Sequence, residues 1–166
     1  MRILSPYLMM DKLTELTPSF LAREKISGIL LDVDNTMTTH GHPHPADGVI
    51  EWVEEMRRAE IKLIIVSNNT PQRVEPFARM FGLDFVANGR KPFTKGFREA
   101  CRRLQIKPKE AVCVGDQIFT DILGGNLLGA KTILTTPIEP EHMPFFRFKR
   151  WAEKPIIRSH KRKVRS

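Results

Sequence analysis

Short apolar segments alternate with amphipathic stretches along this chain, and this alternation constrains the fold more than any other feature of the sequence. The apolar segments, each of strand length, are residues 28–33, 62–67, 84–87, 111–115 and 131–135. Between them, the spacing of apolar residues predicts helices at 47–59, 71–81, 94–104 and 120–128. Strands and helices that alternate in this way predict an α/β fold, a doubly wound parallel sheet with helices on both faces.

The two ends of the chain fall outside this alternation. Residues 8–21 have the apolar spacing of a short amphipathic helix, and one domain is expected over residues 1–149. Residues 150–166 are predicted to form a mobile basic tail. The segment from Arg147 onward holds nine Lys and Arg residues and one acid, which accounts for the whole net charge of +8. A basic tail on a neutral body predicts an anionic partner.

Hydropathy and cysteine content bear on where the protein works. No apolar run approaches the roughly 20 residues that a membrane-spanning helix requires. The two cysteines, Cys101 and Cys113, lie far apart in the sequence and form no metal-binding or disulfide pattern. We therefore expect a cytoplasmic protein in a reducing compartment, with peripheral contact to a membrane as the alternative setting.

Polar side chains follow four of the predicted strands, at the edge where doubly wound sheets place their sites. In chain order they are Asp32 and Asp34, Ser67 and Asn68, Lys91, and Asp116 and Asp121. Carboxylates that converge repel one another unless a hard cation lies among them, and Mg2+ is the natural candidate. Lys91 and Ser67 would add a positive charge and a hydrogen-bond donor for phosphoryl oxygens, so the set suits phosphoryl transfer.

These segments resemble the four motifs of the haloacid dehalogenase (HAD) superfamily. The sequence DVDNT at 32–36 is similar to its first motif, Ser67 to the second, Lys91 to the third, and GDQIFTD at 115–121 to the fourth. The resemblance covers about residues 28–135 and is closest to subfamily IIIA. Within it, SNN, the NxxKP stretch at 88–92 and GDQxxTD resemble the YqeG-like group, which includes phosphatidylglycerophosphate phosphatases.

The resemblance implies a hydrolase that cleaves phosphomonoesters through an aspartyl-phosphate. Asp32 would attack phosphorus, and Asp34 would protonate the leaving alkoxide and then activate water. Mg2+ would be held by the carboxylates of Asp32 and Asp116 and the backbone carbonyl of Asp34, while Asp121 would orient the waters of the metal or Lys91. The other residues that the resemblance assigns to catalysis are Ser67 and Lys91. The residues expected to shape the phosphate cradle are Asn35, Thr36 and Asn68.

The spacing of the motifs predicts that the domain carries no cap. HAD enzymes insert caps after the first motif or between the second and third. Here a short loop joins Thr36 to the helix at 47–59, and residues 70–90 hold only one helix and one strand. An uncapped site can accept a phosphate on a large or membrane-embedded molecule, or it can be closed by another subunit. Residues 70–90 contain no Cys or His, which argues against relatives with a zinc loop.

Two further groups of residues leave alternatives open. His40, His42 and His44 alternate in a loop after the first motif; an exposed loop is favoured over a transition-metal site, and contact with substrate remains open. Near the C-terminus, aromatic residues such as Trp151 are interleaved with Lys and Arg. They suit either cover of the core or a membrane interface.

Three functions follow from these features. The favoured one is a phosphatase for phosphatidylglycerophosphate or a similar anionic lipid. The second is a phosphatase for a soluble nucleotide or sugar phosphate. The third is a HAD domain with an RNA-binding tail, which is disfavoured because nothing in binding requires both carboxylates of the first motif.

Overall fold

Six parallel strands form one sheet in a computed structural model that describes residues 2–39, 41–140, 142 and 144–165. Their bounds are β1 Leu8–Met10, β2 Gly28–Leu31, β3 Lys62–Val66, β4 Asp84–Val86, β5 Ala111–Gly115 and β6 Lys131–Thr135. The spatial order is β1-β6-β5-β2-β3-β4. The order reverses between β5 and β2, so the crevice of a doubly wound sheet lies at the carboxyl ends of these two strands. The predicted fold class is confirmed.

Helices connect the strands and cover both faces of the sheet. Their bounds are α1 Pro18–Arg23, α2 Val49–Arg58, α3 Pro71–Phe81, α4 Lys95–Leu104, α5 Leu123–Leu128 and α6 Pro144–Arg165. A π-helical turn, Ile118–Ile122, precedes α5. Local chemistry sets the bounds of α3, because Pro71 suits the first helical turn and Gly82 ends the helix in the left-handed conformation (φ 61°).

Strand β2 is buried on both faces, as its uninterrupted apolar sequence predicts. Ile29 and Leu31 belong to the core beneath α2 and α3, whereas Leu30 belongs to the core beneath α4. All three side chains are at most 1 % exposed. Burial of each stabilises the fold by about 1.5–3 kcal/mol, and it fixes the end of β2 from which the first motif continues.

The prediction of an amphipathic helix over 8–21 is wrong. Residues Leu8–Met10 form β1, which pairs with β6 at the edge of the sheet, and α1 begins only at Pro18. The side chain of Thr17 caps α1 by accepting a hydrogen bond from the backbone N–H of Phe20. Leu13, Leu16 and Leu21 are buried, whereas Leu8–Met10 are half-buried and pair their backbone with the edge strand β6 instead of forming a helix.

The predicted boundary between domain and mobile tail at residue 150 is also wrong. Helix α6 crosses it, and Glu153 is 1 % exposed. Ile156 and Ile157 pack against a small cluster that contains Ile118 and Ile122. The domain therefore includes α6 at least to Ile157. The side chains of residues 160–165 lie outside the description, so the role of the basic end remains a prediction.

The connections around the first three motifs are short. Strand β2 leads through a loop to α2, and β3 leads through α3 alone to β4, so no inserted domain occurs there among the described residues. In the part of the chain that the structure covers, no helix is long and apolar enough to cross a membrane.

Candidate active site

Three carboxylates meet at the carboxyl ends of the two central strands. Asp32 directly follows β2, and its backbone N–H donates to the carbonyl of Val114 (2.9 Å), which fixes it beside β5. Asp116 directly follows β5, and Asp121 lies in the π-helical turn. Each of the three acids, Asp32, Asp116 and Asp121, has an oxygen within 4.8 Å of the others. The three acids therefore lie together, as the sequence predicts.

The glycine of the fourth motif allows Asp121 to reach this position. A Cβ atom built on Gly115 would lie 2.3 Å from the carboxyl carbon of Asp121. That distance is too short for two non-bonded carbon atoms, so any side chain at position 115 would displace Asp121. The π-helical turn directs Asp121 back over the end of β5, and its Oδ2 accepts from the backbone N–H of Gln117 (3.2 Å). GDQIFTD thus works as one unit, in which the glycine leaves room for its last carboxylate.

Lys91 bridges two of the three carboxylates. Its Nζ lies 2.7 Å from Oδ1 of Asp32 and 2.6 Å from Oδ1 of Asp121, and its side chain is 4 % exposed. Burial lowers the pKa of Lys91, but the charges of Asp121 and Asp32 outweigh burial and raise the pKa above its usual range. The two carboxylates therefore favour the protonated, cationic form of Lys91.

Negative charge is costly for the acids of this buried cluster. Burial raises the pKa of Asp32 to about 7; Lys91 opposes this rise and Asp121 adds to it. Burial also raises the pKa of Asp116 well above its ordinary value, against the lowering effect of Arg150. Oδ1 of Asp116 is buried and has no hydrogen-bond partner among the described residues. A hard divalent cation held by oxygen ligands fits these features.

The carboxyl of Asp34 is held by residues from the segment after β3 and by the loop that contains Gly41. Its Oδ2 accepts from the side-chain amide of Asn69 (2.6 Å), and its Oδ1 accepts from the backbone N–H of Gly41 (3.2 Å). The guanidinium of Arg73 lies 3.3 Å from the same Oδ1. The predicted part of Asp34 in a metal site, through its backbone carbonyl, stays a prediction.

The residues predicted for the phosphate cradle make other contacts. The Asn68 side chain accepts from the backbone N–H of Lys91 (2.6 Å) and donates to its carbonyl (3.2 Å), so it fixes the loop that carries Lys91. Asn35 adopts the left-handed conformation (φ 58°), and its side chain accepts from the backbone of Glu139. Thr36 lines a different cavity, of about 400 Å3. The side chains of Asn68 and Asn35 thus hold loops in place, and the phosphate cradle stays a prediction.

A cleft of about 520 Å3 opens beside Asp34 and Ser67. Ser67 is 2 % exposed, and its hydroxyl oxygen accepts from the backbone N–H of Asn69 (3.1 Å). His42 and His44 line the cleft as well, so the loop of the predicted histidines lies at the mouth of the site. His40 lies outside the described residues. Contact of this loop with substrate, which the sequence left open, is compatible with that position.

Four residues at the site were missed in the sequence. Asn69 and Arg73 hold the carboxyl of Asp34, while Arg150 and Glu153 of α6 reach Asp116 and its neighbours. Glu153 carried a detectable signal, because it is the one acid in a strongly basic segment. Such an isolated acid at a helical spacing from an arginine indicates a specific partner.

Known proteins match both the sequence and this geometry. Residues 41–129 match the family model of haloacid dehalogenase-like hydrolases. Over 148 residues the chain is 40 % identical to "Probable phosphatase YqeG" of Bacillus subtilis, which covers 89 % of this chain and 86 % of that protein. The chain therefore belongs to the haloacid dehalogenase-like hydrolases.

Within that family it is a YqeG-like phosphatase, which confirms the resemblance seen in the motifs. A shorter match, 54 % identical over 43 residues, joins it to a glyceraldehyde 3-phosphate phosphatase of Methanopyrus kandleri and covers 26 % of this chain and 18 % of that one. Among solved structures, a 4-nitrophenylphosphatase from Thermotoga maritima superposes with a TM-score of 0.60 at 13 % identity. It covers 72 % of this chain and 89 % of that chain, and it supports the fold.

Proposed function

We propose that this phosphatase is Mg2+-dependent and forms a covalent aspartyl-phosphate on Asp32. One observation carries the proposal: the Asp32 carboxylate is fixed by Lys91 and lies beside two further buried carboxylates. One of these, Asp116, has an oxygen with no hydrogen-bond partner in the described part of the chain. A carboxylate held in this way is a positioned nucleophile. A phosphoryl group in front of it would lie near both the ammonium of Lys91 and the metal ligands.

The chemistry divides into two displacements at phosphorus. In the first, an oxygen of Asp32 bonds to phosphorus, the ester P–O bond breaks, and the leaving alkoxide takes a proton from Asp34. In the second, Asp34 accepts a proton from water, the water oxygen bonds to phosphorus, and the bond to Asp32 breaks with release of phosphate. Asn69 and Arg73 hold the Asp34 carboxyl in place through both steps.

A bound Mg2+ would supply charge neutralisation for the phosphoryl oxygens. The residues that would hold it are Asp32 and Asp116 through their carboxylates and Asp34 through its backbone carbonyl. Asp121, whose Oδ1 is bonded to Lys91, would contribute chiefly by orienting that cation.

The proposed substrate is an anionic lipid phosphate such as phosphatidylglycerophosphate. The support comes from α6, on which Phe145, Phe148 and Trp151 are each about two-thirds exposed at three-residue spacing. Phe148 and Trp151 stack with their ring centroids 5.9 Å apart. Exposed Arg147 and Lys154 belong to the same helix, and aromatic and basic side chains together suit the surface of an anionic membrane.

A soluble phosphomonoester is the second candidate. The cleft beside Asp34 has a volume within the range of small-molecule sites, and polar side chains, among them His42, His44 and Arg73, line it. A small sugar phosphate would fit such a cleft without contact with α6. A panel of lipid, sugar and nucleotide phosphates, assayed at equal Mg2+, distinguishes the two candidates.

Removal of the metal is expected to abolish hydrolysis. Treatment with EDTA should lower the turnover of p-nitrophenyl phosphate by more than about 100-fold, because neutralisation of transition-state charge by a metal is worth several kcal/mol. Mg2+ should restore the rate better than Ca2+, whose larger coordination shell relaxes the geometry. The measurement is the rate after dialysis and re-addition of each ion. Full activity in EDTA would contradict the metal-dependent mechanism.

Loss of the exposed aromatic residues of α6 is expected to weaken membrane binding without loss of chemistry. The double variant Phe148→Ser, Trp151→Ser should bind vesicles of phosphatidylglycerol and phosphatidylcholine about 10- to 100-fold more weakly, because each ring buries part of its area at the interface. Turnover of p-nitrophenyl phosphate should change little. Ile50→Ser, which removes an exposed apolar side chain from α2, is the matched control. Unchanged vesicle binding by the double variant would favour the soluble substrate.

A further inference from the structure

The C-terminal helix reaches the proposed metal site through one arginine. The guanidinium of Arg150 contacts Asp116 twice: Nη1 donates to its backbone carbonyl and Nη2 donates to its Oδ2. The side chain of Asp116 is fully buried, and that of Arg150 is 21 % exposed. This two-point contact uses the planar fork of the guanidinium, which sets the orientation of the group that it binds as well as its charge.

Glu153 fixes the arginine and the neighbouring turn together. Its Oε2 lies 3.3 Å from Nη1 of Arg150, and its Oε1 accepts from the backbone N–H of Ile118 (2.8 Å). Ile118 begins the π-helical turn that carries Asp121. A carboxylate that is 1 % exposed is costly unless it is paired, so its burial here indicates a specific function for this contact.

We propose that Arg150 and Glu153 are positioning residues for the metal ligand Asp116. Arg150 donates hydrogen bonds to Oδ2 and to the backbone carbonyl of Asp116. Oδ1 of Asp116 has no hydrogen-bond partner among the described residues, so it is the oxygen available to a metal ion. Helix α6 thereby completes a site whose three carboxylates and lysine lie between Asp32 and Asp121. The proposal rests on the divalent cation site proposed above.

Charge and positioning predict opposite results when Arg150 is replaced. By charge alone, removal of a cation beside a carboxylate should strengthen the binding of Mg2+. Loss of an outer contact that orients a ligand should instead weaken metal binding by about 10- to 100-fold. The sign of the change therefore separates a residue that orients Asp116 from one that only neutralises it.

Isothermal titration of the full-length metal-free protein with MgCl2 and with MnCl2, without substrate, provides the measurement. We expect Arg150→Ala to bind both ions about 10- to 100-fold more weakly. Arg150→Lys keeps the charge but lacks the fork, so it should show most of the same loss. Lys154→Ala, which removes an exposed cation from the same helix, should bind as the wild type does. Tighter binding by Arg150→Ala, or wild-type binding by Arg150→Lys, would overturn the proposal.

A second readout uses p-nitrophenyl phosphate at increasing Mg2+. In the Arg150 variants the Mg2+ concentration for half-maximal rate should rise by the same factor as the dissociation constant, while the rate at saturating Mg2+ stays within several-fold of wild type. A rate that stays low at saturating Mg2+, with normal metal binding, would assign Arg150 to the substrate and overturn the proposal.

Glu153→Gln keeps the proposal testable if Arg150→Ala does not fold. The amide oxygen can still accept from Ile118, whereas the charge that holds Arg150 is lost, so a several-fold weaker binding of Mg2+ is expected. Mg2+ binding by Glu153→Gln equal to that of the wild type would show that Arg150 and Glu153 do not position Asp116. Because titration needs no substrate, failure of this proposal is distinct from failure of the phosphatase mechanism, which would appear as absence of hydrolysis by wild-type protein that binds Mg2+.

Discussion

Asp32→Asn is expected to abolish turnover of every phosphomonoester while the protein remains folded. The carboxylate is the proposed nucleophile, and the neutral amide is a far weaker nucleophile toward phosphorus, so kcat should fall by more than about 1,000-fold. Folding should persist because burial already penalises the charged form of Asp32, and the amide oxygen can still accept from Lys91. The measurements are kcat with p-nitrophenyl phosphate and the thermal unfolding midpoint.

A covalent readout makes this test specific. Wild-type protein quenched with acid during turnover should carry a phosphoryl group on the peptide that contains Asp32, and the variant should carry none. Asp47→Asn, the same substitution at an exposed aspartate before α2, should retain both turnover and labelling. A phosphoryl group found on another residue, or near-normal turnover by Asp32→Asn, would refute the assignment of the nucleophile.

Lys91→Met is expected to lose activity and a large part of the stability of the fold. Methionine approximates the shape of the lysine stem but leaves Asp32 and Asp121 without their shared cation. Removal of one partner from a buried ion pair costs about 3–5 kcal/mol, because the remaining charge is uncompensated. The free energy of unfolding in urea should fall by that amount in metal-free buffer, and turnover should fall by more than about 100-fold.

Mg2+ provides the internal control for this variant. A divalent cation bound by Asp32 and Asp116 would replace part of the missing charge, so MgCl2 should raise the unfolding midpoint of Lys91→Met more than that of wild type. Lys95→Met, at the exposed start of α4, removes one lysine away from the carboxylates and should change neither property. An equal response of Lys91→Met and wild type to MgCl2 would contradict a shared site for the metal and the lysine.

The sequence predicted the central part of this fold well because the signals there are local and redundant. The strands β5 and β6 and the helix α3 have the predicted bounds, and each is delimited by its own apolar run or by Pro and Gly. The motif residues at the ends of parallel strands had to meet at one edge of the sheet. That geometry brought Asp32 and Asp116 together, and Gly115 left room for Asp121 beside them.

The ends of the chain were predicted poorly because their conformations depend on distant partners. Residues Leu8–Met10 have no feature that distinguishes a strand from a helix until β6 offers its open edge. Likewise, residues 150–166 were predicted to form a tail because no apolar periodicity persists after Pro137 and the net charge there is high. The position of α6 is set by the buried contacts of Arg150 and Glu153, of which the sequence contains one sign, the single acid of the basic segment.

By itself, then, the sequence determined the family, the parallel sheet and the identity of the carboxylates and the lysine. Spacing along the chain fixes which residues follow strands, and a parallel sheet places those residues at one edge. Only the tertiary structure decided how those groups are held: Asn68 on the backbone of Lys91, Asn69 and Arg73 on Asp34, and Arg150 on Asp116. The physical reason is that hydrogen bonds and ion pairs between distant segments depend on side-chain positions that exist only after the core has packed.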